Sequence, residues 1–273
     1  MPKALRHVFV VLLVLLFATH AFASETLQID GTGDSQQLLR ELAAAFEAAN
    51  PDSKIVVPDS IGSSGGVKAL VNGKTDIARI ARPLKAKEKQ LADDLTYQAF
   101  AFSPVVFAAN LPEQCVDNLT SEQVAGIFSG KIDNWSQLGK CPDQKIYVAM
   151  RENGDSSRSI LEKKIPEFKA ITEYAGKTIY STPETVQTLE ETAYVIGYLP
   201  QASVTAKLKV FSINGIEPTA ANVLNMSYPI TSPFGLVWKG RLNVLGSKFL
   251  SFINGPEGAK VIRDFGVVPI VKH

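Results

Sequence analysis

The stretch IGSSGGVK, residues 61–68, decides the fold because it places two hydroxyl side chains and a glycine pair where a helix is predicted to begin. Small residues let a ligand approach the backbone closely, and the free N–H groups at the start of a helix favour negative charge. GTGDS at residues 31–35 and RENGDSSRS at residues 151–159 also precede predicted helices. We call these segments the first loop (31–35), the second loop (61–68) and the third loop (151–159). Three helix starts of this kind predict one composite anion-binding pocket.

The segments around the first two loops alternate between strand and helix patterns. Strands are predicted at residues 26–30, 54–57 and 76–80, and apolar residues recur at helical spacing from Leu38 to Ala49 before Asn50-Pro51 ends the pattern. This alternation predicts an α/β layer with a largely parallel sheet, in which ligands bind at the carboxyl ends of the strands.

Two apolar runs divide the rest of the chain. Residues 105–110 follow Ser103-Pro104, and residues 228–239 are broken by Ser232-Pro233, so the two runs are predicted to be paired crossovers between lobes. Between them lie a predicted helix at 121–128 and strands at 146–150 and 194–198, and a helix at 244–254 follows. We expect lobe 1 to comprise residues 24–104 plus 232–273, and lobe 2 residues 105–231.

The first 23 residues predict a cleaved export signal. Lys3 and Arg6 give a basic start, residues 8–17 are all apolar, and Ala21-Phe22-Ala23 is a small-residue cleavage site. The alternative, a transmembrane anchor, is disfavoured because the apolar run is shorter than the roughly 20 residues that span a bilayer. We expect a mature exported protein that begins at Ser24.

The charge balance argues against a nucleic-acid partner. Removal of Lys3 and Arg6 reduces the 28 basic residues to 26, against 27 acidic ones, which gives a net charge of −1. A chain without a basic excess lacks the positive surface that binding to a phosphate backbone requires.

Histidine and cysteine usage restricts the chemistry further. His7 and His20 lie in the predicted signal, so His273, the last residue, is the only histidine of the mature chain. We therefore expect neither a histidine base nor a histidine-rich metal site. We also expect no other metal site and no cofactor. Cys115 and Cys141 are the only cysteines, and in an exported protein such a pair predicts a disulfide.

At these loops and at three later segments the chain resembles the phosphate-binding periplasmic component of ABC transporters, within the type II periplasmic-binding-protein fold. GTGDS stands where that family has a Gly-x-Gly-x-Thr turn, and IGSSGGVK matches its serine-glycine loop. IFSGKIDNW at residues 127–135, VIGY at 195–198 and PEGAKVI at 256–262 follow in the family's order. The resemblance covers nearly the whole mature length.

The resemblance implies a two-lobed α/β fold that closes over an oxyanion in the cleft between the lobes. Backbone N–H groups, hydroxyls and one arginine would hold the anion, with Ser35 at the family's threonine position and Arg151 as the bidentate arginine. The candidate ligand-binding residues are Ser35, Gly62, Ser63, Ser64, Arg151, Asp155, Ser156 and Ser157, with Asp34, Arg79 and Arg82 as secondary candidates.

Two departures from the family leave the choice of anion open. Ala81 stands where the family has an aspartate that accepts the proton of a protonated phosphate. Asp155 stands where the third loop has a hydroxyl donor, and it is either a relocated acceptor or the cap of the helix that begins at Ser156. Asp34 is the other carboxylate that can face the anion.

Several polar and aromatic residues have a simpler interpretation. Phe128 and Trp135 are expected to pack in the core. Arg79 and Arg82 are either solvated charges or pocket residues, and Glu88 with the neighbouring lysines is interpreted as a solvated helix face.

We expect an exported, monomeric solute-binding protein without catalytic activity that captures phosphate for an ABC permease in the inner membrane. Two alternatives remain: the same fold with another oxyanion or a small organic anion, and a regulatory partner of a membrane sensor without tight ligand capture. Residues 62–66 also satisfy the Gly-x-Ser-x-Gly pattern of serine hydrolases, but the histidine base of that chemistry is missing.

Overall fold

The computed structural model describes residues 25–112 and 115–270, and the predicted export signal lies outside these residues. The strands are β1 (Glu25–Gly31), β2 (Ser53–Val56), β3 (Ile77–Ile80), β4 (Leu95–Ala109), β5 (Asn118–Leu119), β6 (Tyr147–Arg151), β7 (Lys177–Ile179), β8 (Val195–Pro200), β9 (Lys209–Val210), β10 (Ser212–Ile213), β11 (Thr231–Lys239) and β12 (Val268–Pro269). The helices are α1 (Gln36–Ala49), α2 (Gly62–Val71), α3 (Ala86–Lys89), α4 (Ser121–Phe128), α5 (Ser156–Lys164), α6 (Pro166–Lys169), α7 (Thr182–Glu191), α8 (Ala220–Leu224), α9 (Val244–Asn254) and α10 (Pro256–Asp264). The segments Trp135–Leu138 and Gln201–Ser203 are short 3-10 helices.

The central sheet has the strand order β2-β1-β3-β11-β4-β8-β6-β7, and β9 and β12 also pair with β4. Strand β1 is parallel to β2 and β3, and β6 is parallel to β7 and β8. Strands β11 and β8 run antiparallel to β4. The sheet therefore has two parallel ends joined by an antiparallel middle.

Strand β4 is the element that joins the two ends. Its first part pairs with β11 as far as Pro104, and its last part, from Val105 to Ala109, pairs with β8. Both apolar runs form strands of the central sheet. Residues 105–109 pair with β8, whereas residues 231–239 pair with the earlier part of β4, which continues through Ser103-Pro104. Their role as paired crossovers between lobes stays a prediction. Proline lacks a backbone N–H and is tolerated where the strand changes partner.

Separate hydrophobic cores lie on either side of this change of partner. Phe100 and Ala101 of β4 pack in a core with α1, α9 and α10, whereas Val105 and Phe107 pack in a second core with α4 and the 3-10 segment at Trp135. Phe128 and Trp135 are fully buried, as the sequence predicts. The prediction of a two-lobed α/β fold is confirmed.

The predicted disulfide between Cys115 and Cys141 is present. Among residues 25–112 and 115–270, no helix combines the length and apolar character needed to cross a membrane.

Candidate functional site

The three loops meet at one cavity of about 400 Å³. We call it the cleft cavity. The residues that line it are Thr32, Gly33, Ser60, Ile61, Gly62, Ser63, Ser64, Gly65, Arg82, Lys85, Lys87, Arg151, Glu152, Asn153, Gly154, Asp155, Ser156 and Tyr180. Each of the predicted loops contributes, so residues that lie more than 100 positions apart form the walls of one site.

Glycines bring the first two loops together. A Cβ atom on Gly66 would lie 2.7 Å from the Cα atom of Gly31, so helix α2 can pack against the end of β1 only without a side chain there. Gly31 itself has a φ of 142°, and a Cβ on it would lie 2.0 Å from the carbonyl oxygen of Arg79. The close approach of backbones explains why these loops are rich in glycine.

Two of the three helix starts lack a side-chain cap. Ser35 is the N-cap residue of α1, yet its hydroxyl accepts no hydrogen bond from the helix, and Ile61 at the start of α2 has no capping side chain. A serine at this position normally satisfies one of the first N–H groups of its helix. Both helix starts therefore retain N–H groups that a bound anion can satisfy.

Three buried polar atoms near these helix starts have no hydrogen-bond partner: Asp34 Oδ2, Ser35 Oγ and Ser157 Oγ. All three residues are at most 2% exposed. An unsatisfied buried polar atom costs about 1–3 kcal/mol, which an occupied site would recover. Two hydroxyl donors match the oxygen atoms of an oxyanion, and a carboxyl oxygen matches an anion that still carries a proton.

Arg151, at the end of β6, provides the positive charge. Its Nε donates to Glu152 Oε2 and to the carbonyl of Ile179, both at 3.2 Å, and its Nη1 donates to Thr182 Oγ1 at 3.0 Å. Its Nη2 lies 2.9 Å from Asp155 Oδ2. A guanidinium has five N–H groups. Nη1 and Nη2 each carry two of these N–H groups, and on each nitrogen one of the two has no partner among the described residues. Two such N–H groups side by side can bind an oxyanion in bidentate fashion.

The carboxyl groups around Arg151 shift one another's protonation. Burial raises the pKa of Asp155 to about 6, with the charge of Arg151 opposing the shift and that of Asp34 adding to it. Burial also raises the pKa of Asp34, against the effects of Arg151 and of the hydrogen bond from Thr182. Burial alone would lower the pKa of Arg151, but the carboxylates of Asp155, Asp34 and Glu152 outweigh it and raise this pKa.

Asp155 also caps helix α5, because its Oδ1 accepts a hydrogen bond of 2.9 Å from the amide of Arg158. The two interpretations of this residue are therefore compatible. Its Oδ1 serves the helix, and its Oδ2 faces Arg151 at the wall of the cleft cavity.

Serine hydroxyls join the second and third loops across the cavity. Ser63 Oγ lies 3.1 Å from Ser156 Oγ and accepts a hydrogen bond of 3.2 Å from the amide of Ala81. Ser64 Oγ instead donates to Glu88 Oε1 at 3.1 Å. Ala81 is fully buried and provides no carboxyl group. This is the position at which the family that the sequence resembles has an aspartate.

Arg79 and Arg82 are both buried, so neither is a solvated charge. The guanidinium of Arg79 donates to the carbonyls of Ile29, Thr32 and Pro58, and therefore holds the first loop in place. Burial lowers the pKa of Arg79 to about 10. Arg79 is absent from the cavity wall, whereas Arg82 lines it.

Arg82 is paired with Glu88 through two hydrogen bonds of 2.8 and 2.7 Å. The interpretation of Glu88 as part of a solvated helix face is wrong, because only 4% of the residue is exposed. Burial alone would raise the pKa of Glu88, but the hydrogen bonds from Arg82 and the amide of Lys85 outweigh it and lower this pKa.

No pattern in the sequence indicates that Thr182 belongs to this site. Its hydroxyl accepts from Arg151 and donates to Asp34 Oδ1. Ser181, Pro183 and Glu184 form a recognisable helix start around it, but that signal predicts a helix and not a contact. Among the described residues, no cluster of His, Cys, Asp and Glu could hold a metal ion.

Comparison with known proteins shows the family of this chain. A family model described as a PBP superfamily domain matches residues 18–257. The chain belongs to the PBP superfamily. The phosphate-binding protein PstS of Bacillus subtilis is 30% identical over 91% of this chain and 82% of its own length. The phosphate-binding protein PstS of Borreliella burgdorferi is 26% identical over 89% of each chain.

A solved structure shares the same architecture. A substrate-binding protein assigned to a phosphate ABC transporter of Clostridium perfringens was crystallised with bound phosphate. It superimposes with a TM-score of 0.76 at 28% identity, over 90% of this chain and 100% of its own. The type II periplasmic-binding-protein fold expected from the sequence is therefore confirmed.

Proposed function

We propose that this protein is the exported substrate-binding component of an ABC importer and captures phosphate where its three loops meet. The observation that carries the proposal is the group of unpartnered buried atoms at Asp34, Ser35 and Ser157. Together with Arg151, these atoms offer one positive charge, hydroxyl donors and a carboxyl acceptor to a single small anion. The relatives named for phosphate binding support the same ligand.

In this proposal the anion contacts residues of all three loops. The ligand-binding residues are Ser35, Gly62, Ser63, Ser64, Arg151, Asp155, Ser156 and Ser157. Asp34 faces the ligand with its unpartnered oxygen. Arg82 contributes positive potential at the cavity wall while its guanidinium stays bound to Glu88. Arg79 affects the ligand only indirectly, because it holds the first loop in place.

The carboxyl groups beside Arg151 give this site a preference among tetrahedral anions. Phosphate and arsenate carry a proton near neutral pH, and sulfate does not. A protonated anion can donate a hydrogen bond to the carboxylate of Asp34 or Asp155. A fully ionised anion has no proton to donate, so its oxygen would be repelled by the carboxylate oxygen. These carboxyl groups compensate for the missing aspartate at Ala81.

The remaining expectations form part of the proposal. Lobe 1 comprises residues 24–104 plus 232–273 and lobe 2 residues 105–231, and the contact between Ser63 and Ser156 supports a cleft between them. Residues 1–23 direct export to the periplasm and are then removed. The mature protein acts as a monomer that presents its closed form to the permease, and it performs no catalysis.

Calorimetric titration of the ligand-stripped mature protein with phosphate, arsenate and sulfate tests the proposal. Phosphate and arsenate are expected to bind tightly with one site per chain, and sulfate at least 100-fold more weakly. The proposal is overturned if phosphate gives no binding heat, or if sulfate binds as tightly as phosphate.

A further inference from the structure

Thr182 is the first residue of helix α7 and is held rigidly there. The hydroxyl of the N-cap residue Ser181 accepts a hydrogen bond from the amide of Glu184, and Pro183 restricts the backbone of the first turn. Only 1% of Thr182 is exposed. Its hydroxyl therefore has a fixed position inside the protein.

The hydroxyl of Thr182 links two charged groups in a fixed direction. Arg151 can only donate, and an ionised Asp34 can only accept. Arg151 Nη1 donates to Thr182 Oγ1 at 3.0 Å, and the single proton of that hydroxyl is donated to Asp34 Oδ1. We call this arrangement the Arg151–Thr182–Asp34 chain.

This chain of hydrogen bonds crosses between the two parts of the fold. Asp34 lies in the first loop, between β1 and α1, whereas Arg151 ends β6 and Thr182 follows β7 at the other end of the sheet. The backbone of Gly33 also lies close to the ring of Pro183, because a Cβ on Gly33 would lie 2.9 Å from that ring. The contact is therefore made only when the two parts are close together.

We propose that Thr182 is a positioning residue whose hydroxyl orients Arg151 toward the anion and docks the first loop, through Asp34, when the cleft closes. The inference rests on the proposed function, since it names a residue that supports the phosphate site. Thr182 itself does not contact the anion.

Loss of the Thr182 hydroxyl affects both ends of the chain. Arg151 loses the acceptor of one Nη1 proton, and among the residues that the structure describes its guanidinium is then held only through Nε and Nη2. Asp34 loses the donor to its Oδ1 and is left with two unpartnered oxygens. Both effects weaken the closed, anion-bound state more than the open state.

Thr182→Val removes the hydroxyl with little change in shape, and Thr182→Ser keeps it. Thr185→Val is the matched control, because Thr185 is equally buried in the same helix and its hydroxyl donates only to the carbonyl of Ser181. Phosphate affinity by calorimetry is expected to fall at least tenfold in Thr182→Val, and to stay within about threefold of wild type in the other two variants.

The pH profile of phosphate affinity provides a second readout. The charged groups that face Asp34 are Arg151, Glu152 and Asp155. The hydrogen bond from Thr182 lowers the pKa of Asp34, so its removal is expected to move the inflection of the profile to higher pH in Thr182→Val but not in Thr185→Val.

The outcomes separate this inference from the proposed function. If wild type binds no phosphate, the proposed function fails. If wild type binds but Thr182→Val binds as tightly as Thr185→Val, the role of Thr182 is refuted. If Thr182→Val does not fold, Thr182→Ala takes its place, and a tenfold loss that Thr182→Ser does not share supports the inference.

Discussion

At the scale of single residues, Arg151 determines whether the site can hold an anion. It is the one guanidinium on the wall of the cleft cavity, within the described part of the chain, that keeps an N–H on both terminal nitrogens without a partner. Arg82 also lines the cavity, but each of its terminal nitrogens already makes two hydrogen bonds, Nη1 to Glu88 and the carbonyl of Pro83, and Nη2 to Glu88 and Ser64. The difference between these two arginines lies in their partners, which no sequence pattern records.

Arg151→Lys is expected to lower phosphate affinity about 100-fold, because an ammonium group keeps the charge and loses the two-pronged geometry. Calorimetry on the variant and on Arg263→Lys, an exposed arginine of helix α10, measures the effect. Equal affinities for the two variants would contradict the assignment of Arg151 to the ligand.

Asp155 makes the stability of the ligand-free protein depend on pH. Its pKa is raised to about 6 by burial. A group with a folded-state pKa above its unfolded value stabilises the protein below the unfolded pKa and loses that contribution as the pH rises through the folded pKa. Between about pH 4 and pH 7 the ligand-free protein is therefore expected to lose stability on account of this group.

Asp155→Asn keeps an oxygen that can cap helix α5 and removes the titrating group. The melting temperature of this variant, relative to wild type, is expected to be higher at pH 8 than at pH 5 in phosphate-free buffer. Thermal unfolding at the two pH values measures it, and a difference that does not change with pH would refute the assigned titration.

At the scale of elements, the pair of Arg82 and Glu88 ties helix α3 to the segment after β3. The side chains are 11% and 5% exposed, so this ion pair is largely shielded from solvent. The spacing of Glu88 among Lys85, Lys87 and Lys89 is typical of an exposed helix face. The partner that buries Glu88 lies in the preceding turn, and a charge pattern within the helix cannot reveal it.

Glu88→Ala is expected to lower the free energy of unfolding by about 3 kcal/mol, because it leaves Arg82 buried without a countercharge. Asp264→Ala, which breaks the exposed pair with Lys260, is the control, with an expected loss under about 1 kcal/mol. Urea denaturation of both variants distinguishes the two cases. Similar losses would show that the buried pair contributes no more than a surface one.

The disulfide between Cys115 and Cys141 is a second feature at this scale. It joins two residues that are 26 positions apart in the sequence, and neither cysteine lines the cleft cavity. Replacement of both cysteines by serine is expected to lower stability by about 3 kcal/mol in the chain-entropy model. Phosphate affinity is expected to stay unchanged, and a parallel loss of affinity in calorimetry would connect the disulfide to the site.

The sequence predicts most elements that carry the site. The helices that begin at Gln36, Gly62 and Ser156 follow from apolar spacing and from the loops in front of them. The sequence does not predict the first part of strand β4, since the expected lobe boundary lies at Pro104, within the strand. Contacts such as that between Thr182 and Asp34 join segments that lie 148 residues apart, and they depend on the packing of the whole sheet.

At the scale of the whole molecule, β4 and β11 run side by side through the middle of the sheet and join its two parallel ends. Segments that follow β1 and β2 at one end of the sheet meet segments that follow β6 and β7 at the other, where Asp34 contacts Thr182 and Ser63 contacts Ser156. An anion bound between these loops would add contacts to both parts and favour the closed form.

A crystal structure of the mature protein grown with phosphate tests the central claim most directly. The account predicts a tetrahedral density within hydrogen-bond distance of the Arg151 guanidinium and the hydroxyls of Ser35 and Ser157, with Asp34 Oδ2 close to one phosphate oxygen. A phosphate bound only at the rim, by Lys85 or Lys87, with the three buried atoms still unpartnered, would contradict it.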